Sequence, residues 1–236
     1  MPSFPTYRNI DNFILDRLPD QEYGRIAPHL RLVPLELRQV IHQIDEEMDH
    51  VYFPTTALSS LLTVLEAEDP VEAAAVGREG FIGAVAGLDL TQSPHRVICQ
   101  MPGESFRLPI EAFHEALAQS PVLSRLVSRY HAYLMRYFSQ GIACNALHMA
   151  EARAARWLLI SHDQARADEF ALTQEFLGVM LGVRRQGVTV ITGVLQNAGI
   201  IAHRRGHFMV LDRGRLEEVA CECYAATRAY HERVMG

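Results

Sequence analysis

The sequence of 236 residues lacks several features that mark whole classes of protein. No apolar run reaches the roughly 20 residues that a membrane helix needs, and the nearest stretch, residues 71–90, is interrupted by charged side chains. The first twenty residues contain neither an apolar signal core nor a transit-peptide bias. Cysteine occurs only four times, and Cys221 and Cys223 lie too close together for a normal disulfide. We therefore expect a cytoplasmic protein without a membrane partner.

Lysine is also absent, so every basic residue other than histidine is arginine. Residues 1–147 hold 18 acidic residues and 11 arginines, whereas residues 148–236 hold 10 acidic residues and 11 arginines. Arginines are paired at 184–185 and at 204–205. A total charge of −6 does not exclude nucleic acid, because a local basic patch can bind phosphates on an acidic protein. The uneven distribution of charge predicts two regions with different tasks.

What the sequence does contain is typical of a globular protein of one or two domains. Apolar residues make up 49% of the chain and charged residues 21%, which provides for a sizeable buried core and excludes disorder or a collagen-like repeat.

The first half of the chain is rich in predicted strands. A helix is predicted over residues 8–18, and the pattern then changes to short segments rich in Val, Ile, Leu and Thr. Strands are predicted at residues 51–53, 58–65, 71–76 and 97–101. Short strands separated by Gly, Pro and Asp predict an antiparallel sandwich or jelly-roll barrel, although the alanine-rich segment 72–76 would also suit a helix.

A long helix is predicted to follow, and Pro121 occupies its first turn, where proline is tolerated. Apolar or small residues then alternate at steps of four and three over about three heptads, which is the pattern of a coiled-coil seam. The seam comprises Leu123, Val127, Tyr130, Leu134, Tyr137, Gly141 and Cys144. We expect it to face a second copy of the chain. The alternative is a long core helix in a monomer.

The stretch 172–201 predicts two short helices joined by a tight turn. Thr173 is the N-cap of the first, Gly182 provides the turn, and the second runs from about Arg185 to Asn197. This arrangement is a helix-turn-helix. A β-hairpin over residues 200–211 and a last helix over about 215–234 are predicted to complete a winged helix.

Such a motif recognises DNA and does no catalysis. The exposed start of the second helix presents Arg184, Arg185, Gln186 and Thr189 to the major groove, where Arg can pair with guanine and Gln with adenine. Thr173 is placed to hold a phosphate at a helix N-terminus. The predicted wing adds backbone contacts from His203, Arg204, Arg205 and His207.

Together these motifs resemble the Crp/Fnr superfamily of bacterial transcription regulators. The resemblance covers nearly the whole chain and is most specific in TQEFLGVMLGVRRQGVTVITGVLQNAGII at 173–201 and RRGHFMVLD at 204–212. It implies an α+β protein with a cyclic-nucleotide-binding-like jelly roll over residues 1–120, a dimerisation helix and hinge over 121–147, and a winged helix-turn-helix DNA-binding domain over 148–236. It also implies a homodimer that binds a palindromic promoter site in double-stranded DNA and acts on RNA polymerase.

Two regions depart from the family pattern. In the recognition helix, the family's Arg–Glu pair is matched by Arg185 and Gln186, and a further base-reading arginine is replaced by Val190. In the sensor, GREGFIGAVAGL at 77–88 resembles the phosphate cassette, but Ala84 replaces the ribose-binding glutamate.

The arginine that neutralises the cyclic phosphate in the family is also missing. Its Arg-Ser pair aligns with Ser93-Pro94, and Arg96 lies two or three residues away. A buried phosphate without its arginine loses strong charge-assisted hydrogen bonds. We therefore predict that cyclic AMP is not the signal, that the effector is unidentified, and that Gly80 and Gly83 serve the barrel turns.

No cofactor and no metal site are expected. The iron–sulfur branch of the family needs clustered N-terminal cysteines, and the first cysteine here is Cys99. Haem ligation stays open because histidine and methionine are available, although no pair is conspicuous. Cys221 and Cys223 are expected to pack on a buried helix face, with metal binding or oxidation as the alternative, and Cys144 is expected to pack in the seam.

Two other functions compete with DNA binding. One is a small-molecule-binding protein whose winged helix contacts protein instead of DNA. The other is an enzyme, for which Glu46, Glu47, Asp49 and His50 would have to cooperate. Consecutive acidic residues usually point in different directions and stay solvated, and the sequence has no phosphate loop, nucleophile elbow or zinc signature. We therefore expect no enzymatic activity.

Overall fold

Residues 10–66 and 70–236 are described by a computed structural model, in which the chain divides into two units. Of the described residues, the first unit comprises 10–59, 75–133 and 235, and the second comprises 60–66, 70–74, 134–234 and 236. In the part of the chain that the structure describes, no helix is both long enough and apolar enough to cross a membrane.

Two short helices precede the strands, α1 (Phe13–Asp16) and α2 (Asp20–Ile26). The Asn12 side chain caps α1 by accepting hydrogen bonds from the backbone N–H groups of Ile14 and Leu15. The helix predicted over residues 8–18 is therefore a single turn that begins after Asn12, and Asp11 before the cap adopts a left-handed backbone (φ 66°). Residues 8 and 9 of that prediction lie outside the described residues.

In the described part of the chain before α3 (Ile110–Gln119), seven strands form two sheets. They are β1 (Arg31–Leu35), β2 (Val40–His42), β3 (His50–Pro54), β4 (Leu58–Thr63), β5 (Val71–Val76), β6 (Arg96–Met101) and β7 (Gly103–Pro109). One sheet has the order β1-β7-β3 with antiparallel neighbours, and the other has the order β2-β6-β4-β5, in which β2 and β6 are antiparallel. The predicted strand-rich antiparallel fold is confirmed, and the alanine-rich segment is a strand.

An aromatic cluster fills the core of the first unit. The ring of Phe53 stacks on that of Phe81 with centroids 5.5 Å apart, and Phe81 also contacts Phe113 and Tyr130. Gly80 makes this packing possible, because a Cβ at that position would lie 2.0 Å from the Tyr130 ring. Gly80 is thus required by side-chain packing, whereas Gly83 (φ 88°) makes the turn into a 3₁₀ helix, Ala84–Leu88.

Two helices follow the strands, α3 (Ile110–Gln119) and α4 (Pro121–Leu147). As predicted, α4 is uninterrupted from its proline and is 27 residues long. The prediction that its seam faces a second copy needs correction, because its side chains are buried within the single chain. Leu123, Val127, Tyr130, Leu134 and Tyr137 are all buried, and Gly141 is half-buried. A 3-4 repeat identifies a packed stripe but not which partner it packs against.

The remaining elements form a winged helix. Helix α5 (Ala150–Ala165) leads into β8 (Glu169–Ala171), α6 (Gln174–Leu181) and α7 (Arg185–Asn197), and then into β9 (Ile201–Arg204) and β10 (His207–Val210). The three strands form an antiparallel sheet of order β8-β10-β9, of which β8 was not predicted.

The single last helix predicted over residues 215–234 is in fact two helices, α8 (Arg213–Val219) and α9 (Cys223–Met235). The backbone becomes extended at Ala220, and the N–H of Cys221 donates to the carbonyl oxygen of Ala152 in α5. No proline or glycine marks this break, so a tertiary contact and not local propensity ends α8.

Candidate nucleic-acid interface

Helices α6 and α7 form the predicted helix-turn-helix, with the predicted residues at its boundaries. The Thr173 hydroxyl oxygen accepts a hydrogen bond from the N–H of Phe176 at 3.2 Å and so caps α6. Gly182 ends α6 in the left-handed region (φ 61°), where a residue with a Cβ is strained. Thr173 therefore lies at the start of a helix, which is the position that the predicted phosphate contact requires.

Close packing of the two helices depends on Gly178. A Cβ at Gly178 would lie 3.0 Å from the carbonyl oxygen of Val183 and 3.4 Å from the Val188 side chain. The N–H of Val183 donates back to the carbonyl of Gly178 at 3.0 Å, and Arg153 of α5 donates to the carbonyl of Leu181. The first of these hydrogen bonds closes the turn, and the second connects the end of α6 to α5. On the inner side of α7, Val188, Ile191 and Leu195 are buried.

The outer side of α7 is the surface that the sequence assigned to DNA. Arg184, Arg185, Gln186 and Thr189 are all exposed there. Val190 is 65% exposed and Val194 52%, so the same surface also carries two apolar side chains. The Thr189 hydroxyl donates to the carbonyl of Arg185 at 3.2 Å.

The wing ends in a two-residue turn with positive φ at Arg205 (50°) and Gly206 (82°), the geometry that suits a tight hairpin. Arg204, Arg205 and His207 are exposed at this tip. His203 differs from them: it is half-buried, its ring packs on Phe208 with centroids 4.4 Å apart, and burial lowers its pKa. Of the predicted wing residues, His203 is thus the one least suited to contact a phosphate as a cation.

The four predicted arginines keep their charges available. Within the described residues, Arg184, Arg185, Arg204 and Arg205 form no ion pair. Unpaired guanidinium groups at the start of a recognition helix and on a wing suit the bases and phosphates of DNA.

The second unit contains a cluster that the sequence analysis missed. Cys144, His148, Cys221 and Cys223 place four metal-ligating atoms within 4.8 Å of one another. The sequence around Cys221 and Cys223 shows no further ligand, because Cys144 and His148 lie more than 70 positions earlier. The i, i+4 spacing of Cys144 and His148 is a sequence signal that could have identified them as a pair of ligands.

Comparison with known proteins also identifies a helix-turn-helix in this part of the chain. Residues 152–219 match the Crp-like helix-turn-helix domain. No curated protein sequence matches the chain.

Three solved structures represent the similarity in fold. FixK2 from Bradyrhizobium japonicum is 15% identical, with a TM-score of 0.68 over 81% of this chain and 98% of its own. A putative transcriptional regulator of the Crp/Fnr family from Eubacterium rectale is 16% identical, with a TM-score of 0.66 over 86% of this chain and 94% of its own. A CRP-family transcriptional regulator from Thermus thermophilus is 22% identical, with a TM-score of 0.66 over 80% of this chain and 96% of its own. This chain therefore has the fold of the Crp/Fnr transcription regulators and carries a Crp-like helix-turn-helix domain over residues 152–219.

Proposed function

We propose that this protein is a homodimeric transcription regulator that binds a palindromic promoter site in double-stranded DNA. The observation that carries the proposal is the exposed, unpaired Arg184–Arg185 pair at the start of the second helix of a Crp-like helix-turn-helix. The N-terminal end of that helix is the part that reaches base edges in the major groove. RNA polymerase is the partner that this class of regulator implies, and no catalytic role is proposed.

Base reading is assigned to three side chains on α7. Arg185 suits the O6 and N7 acceptors of guanine, and Gln186 suits the N6 and N7 atoms of adenine. Val190, one turn later and 65% exposed, suits the methyl group of thymine. Arg204 and Arg205 on the wing, together with Thr173, are assigned to phosphates and position the protein without reading sequence.

The dimer is assigned to a stripe of α4 that the single chain leaves uncovered. Met135 is 71% exposed and Ile142, one heptad later, is 73% exposed. Apolar residues seven positions apart on a long helix suit a second copy of the same helix. The predicted interface thus moves to a different face of the helix that was expected to provide it.

The signal is proposed to be a ligand or modification of the N-terminal barrel other than cyclic AMP. Ala84 stands where the family has its ribose-binding glutamate. Its backbone carbonyl oxygen lies 2.7 Å from Nε2 of His131. The Ser93 hydroxyl donates to the carbonyl of His95 at 2.8 Å and is buried. Both groups are already used in the fold, which supports a sensor without the cyclic-nucleotide contacts.

Selection of bound fragments from genomic DNA with the purified full-length chain tests the function. We expect a palindromic motif, and we expect affinity for the selected duplex to fall steeply with salt, because several arginine–phosphate contacts release counterions. Recovery of no enriched motif, with binding insensitive to salt, would favour the alternative in which the winged helix contacts protein.

A further inference from the structure

Four ligand-type side chains converge in the second unit, outside the helix-turn-helix. Cys144 lies in the last turn of α4 and His148 follows that helix, while Cys221 and Cys223 flank the start of α9. The Sγ atoms of Cys144 and Cys221 are 3.5 Å apart, and Sγ of Cys223 is 3.5 Å from Nδ1 of His148. The ligand atoms of all four residues lie within 4.8 Å of one another.

These separations are those of a tetrahedral zinc site. Zn–S bonds of about 2.3 Å give tetrahedron edges of about 3.8 Å. The observed separations, from 3.5 Å up to a maximum of 4.8 Å, bracket that value. Three thiols and one imidazole are also one of the donor sets of structural zinc sites, in which all four positions belong to the protein.

The groups around the four ligands fit the same assignment. Nε2 of His148 lies 3.1 Å from the Glu222 carboxylate, which orients the ring so that Nδ1 points to the sulfurs. Nε2 of Gln140 donates to Sγ of Cys223 at 3.0 Å, and Nη1 of the buried Arg156 donates to Sγ of Cys144 at 3.4 Å. Three thiolates around Zn²⁺ leave one excess negative charge, and the Arg156 guanidinium is the buried cation that offsets it.

The backbone is also arranged for a site of this kind. The N–H of His148 donates to the carbonyl of Cys144 at 3.1 Å, which continues the helical hydrogen bonding and places residues i and i+4 on one side. Residues i and i+2 of a continuous helix face different directions. Cys221 and Cys223 reach the same cluster only because the chain leaves the helix between α8 and α9.

We propose that Cys144, His148, Cys221 and Cys223 bind one Zn²⁺ ion as a structural site that fastens the start of α9 to the end of α4. A groove of about 320 Å³, lined in part by Glu217, Cys221 and Glu222, gives the ion a path from solvent. None of the four ligands is among the residues proposed to contact DNA, so this proposal is independent of the proposed function.

Metal analysis of the untagged full-length chain, purified with a thiol reductant, tests the proposal. We expect about one zinc per chain. After the zinc is removed, Co²⁺ should give the intense visible bands of tetrahedral coordination and thiolate charge-transfer bands in the near ultraviolet. Cys223→Ser and His148→Ala should each lower the bound zinc several-fold, whereas the matched control Cys99→Ser should retain it, because Cys99 is buried outside the cluster.

Far-ultraviolet circular dichroism identifies any variant that fails to fold, and the cobalt spectrum of the unmodified chain does not depend on variants. Folded wild-type protein that takes up neither zinc nor cobalt would overturn the proposal. So would zinc content that is the same in Cys223→Ser and His148→Ala as in the wild type, or a Cys144–Cys221 disulfide in place of metal in the reduced preparation.

Discussion

At the scale of single residues, the proposed function rests on arginines that form no ion pair among the described residues. Arg184 and Arg185 are exposed at the start of α7 without an ion-pair partner among the described residues. The sequence was sufficient to place both arginines at the start of this helix, because a cap at Thr173 and a turn at Gly182 locate α7. It was not sufficient to show that His203 packs on Phe208, since alternation in a short hairpin does not determine how deeply each side chain is buried.

Replacement of Arg185 tests base reading. We expect Arg185→Ala to cost roughly 1–3 kcal/mol on the selected site and to relax the preference at one base pair, because a bidentate contact to guanine is lost. Arg233→Ala, which removes the same charge from an exposed position on α9, is the matched control. Fluorescence anisotropy on cognate and unrelated duplexes measures both. A loss for Arg185→Ala that is equal on the two duplexes would assign Arg185 to phosphate instead.

A buried carboxyl in the second unit gives a pH-dependent prediction. Burial raises the pKa of Glu72 well above its usual 4.5, although Ser60 and Arg156 act in the opposite direction. The stabilising contribution of the protonated carboxyl is therefore complete below about pH 4.5 and is lost as the pH rises through the folded-state pKa. The side chain of Glu72→Gln stays neutral at every pH. The free energy of unfolding of this variant should therefore rise relative to that of the wild type as the pH increases. Urea unfolding at pH 5 and pH 8 measures the difference, and a difference that does not change with pH would contradict this account.

At the scale of elements, the sequence predicted α4, α6 and α7 closely and misjudged two features that tertiary contacts decide. The 3-4 seam of α4 packs within its own chain, and the last helix is broken between Val219 and Cys223. In both cases the local pattern is compatible with either outcome. Residues far away in the sequence, such as Ala152 for the helix break, make the choice.

Two glycines in the helix-turn-helix provide a matched test of its packing. Gly193→Ala adds a Cβ in open space and should stabilise α7 by about 0.5–1 kcal/mol. Gly178→Ala should destabilise the chain despite the same gain in helix propensity, because its Cβ meets a hydrogen-bonded backbone carbonyl at 3.0 Å. Chemical denaturation measures both variants. If the two substitutions changed the stability equally, Gly178 would not be needed for the close approach of α6 and α7.

Charge placed on the uncovered stripe of α4 tests the dimer. Met135→Asp combined with Ile142→Asp should convert the dimer to a folded monomer, because an unpaired charge cannot be buried in a helix–helix seam. Leu32→Asp, at a residue 49% exposed on β1, is the control and should leave the dimer intact. Sedimentation velocity distinguishes the two states. A dimer that persists with both aspartates would place the interface elsewhere.

At the scale of the whole molecule, fold class was predictable and the metal-type cluster was not. Strand spacing, the long helix and the helix-turn-helix each have a local signal, and together they identify the architecture. The cluster joins Cys144 and His148 to Cys221 and Cys223, and no local pattern brings those segments together.

The central claim is that two copies of α7 read two half-sites of one duplex, and hydroxyl-radical footprinting of the selected DNA tests it most directly. We predict two protected half-sites related by a dyad, with centres separated by about 10–10.5 base pairs or a multiple of that spacing. The protection should disappear when Arg184 and Arg185 are both replaced by alanine. A single unpaired footprint, or protection that persists in that double variant, would contradict the account.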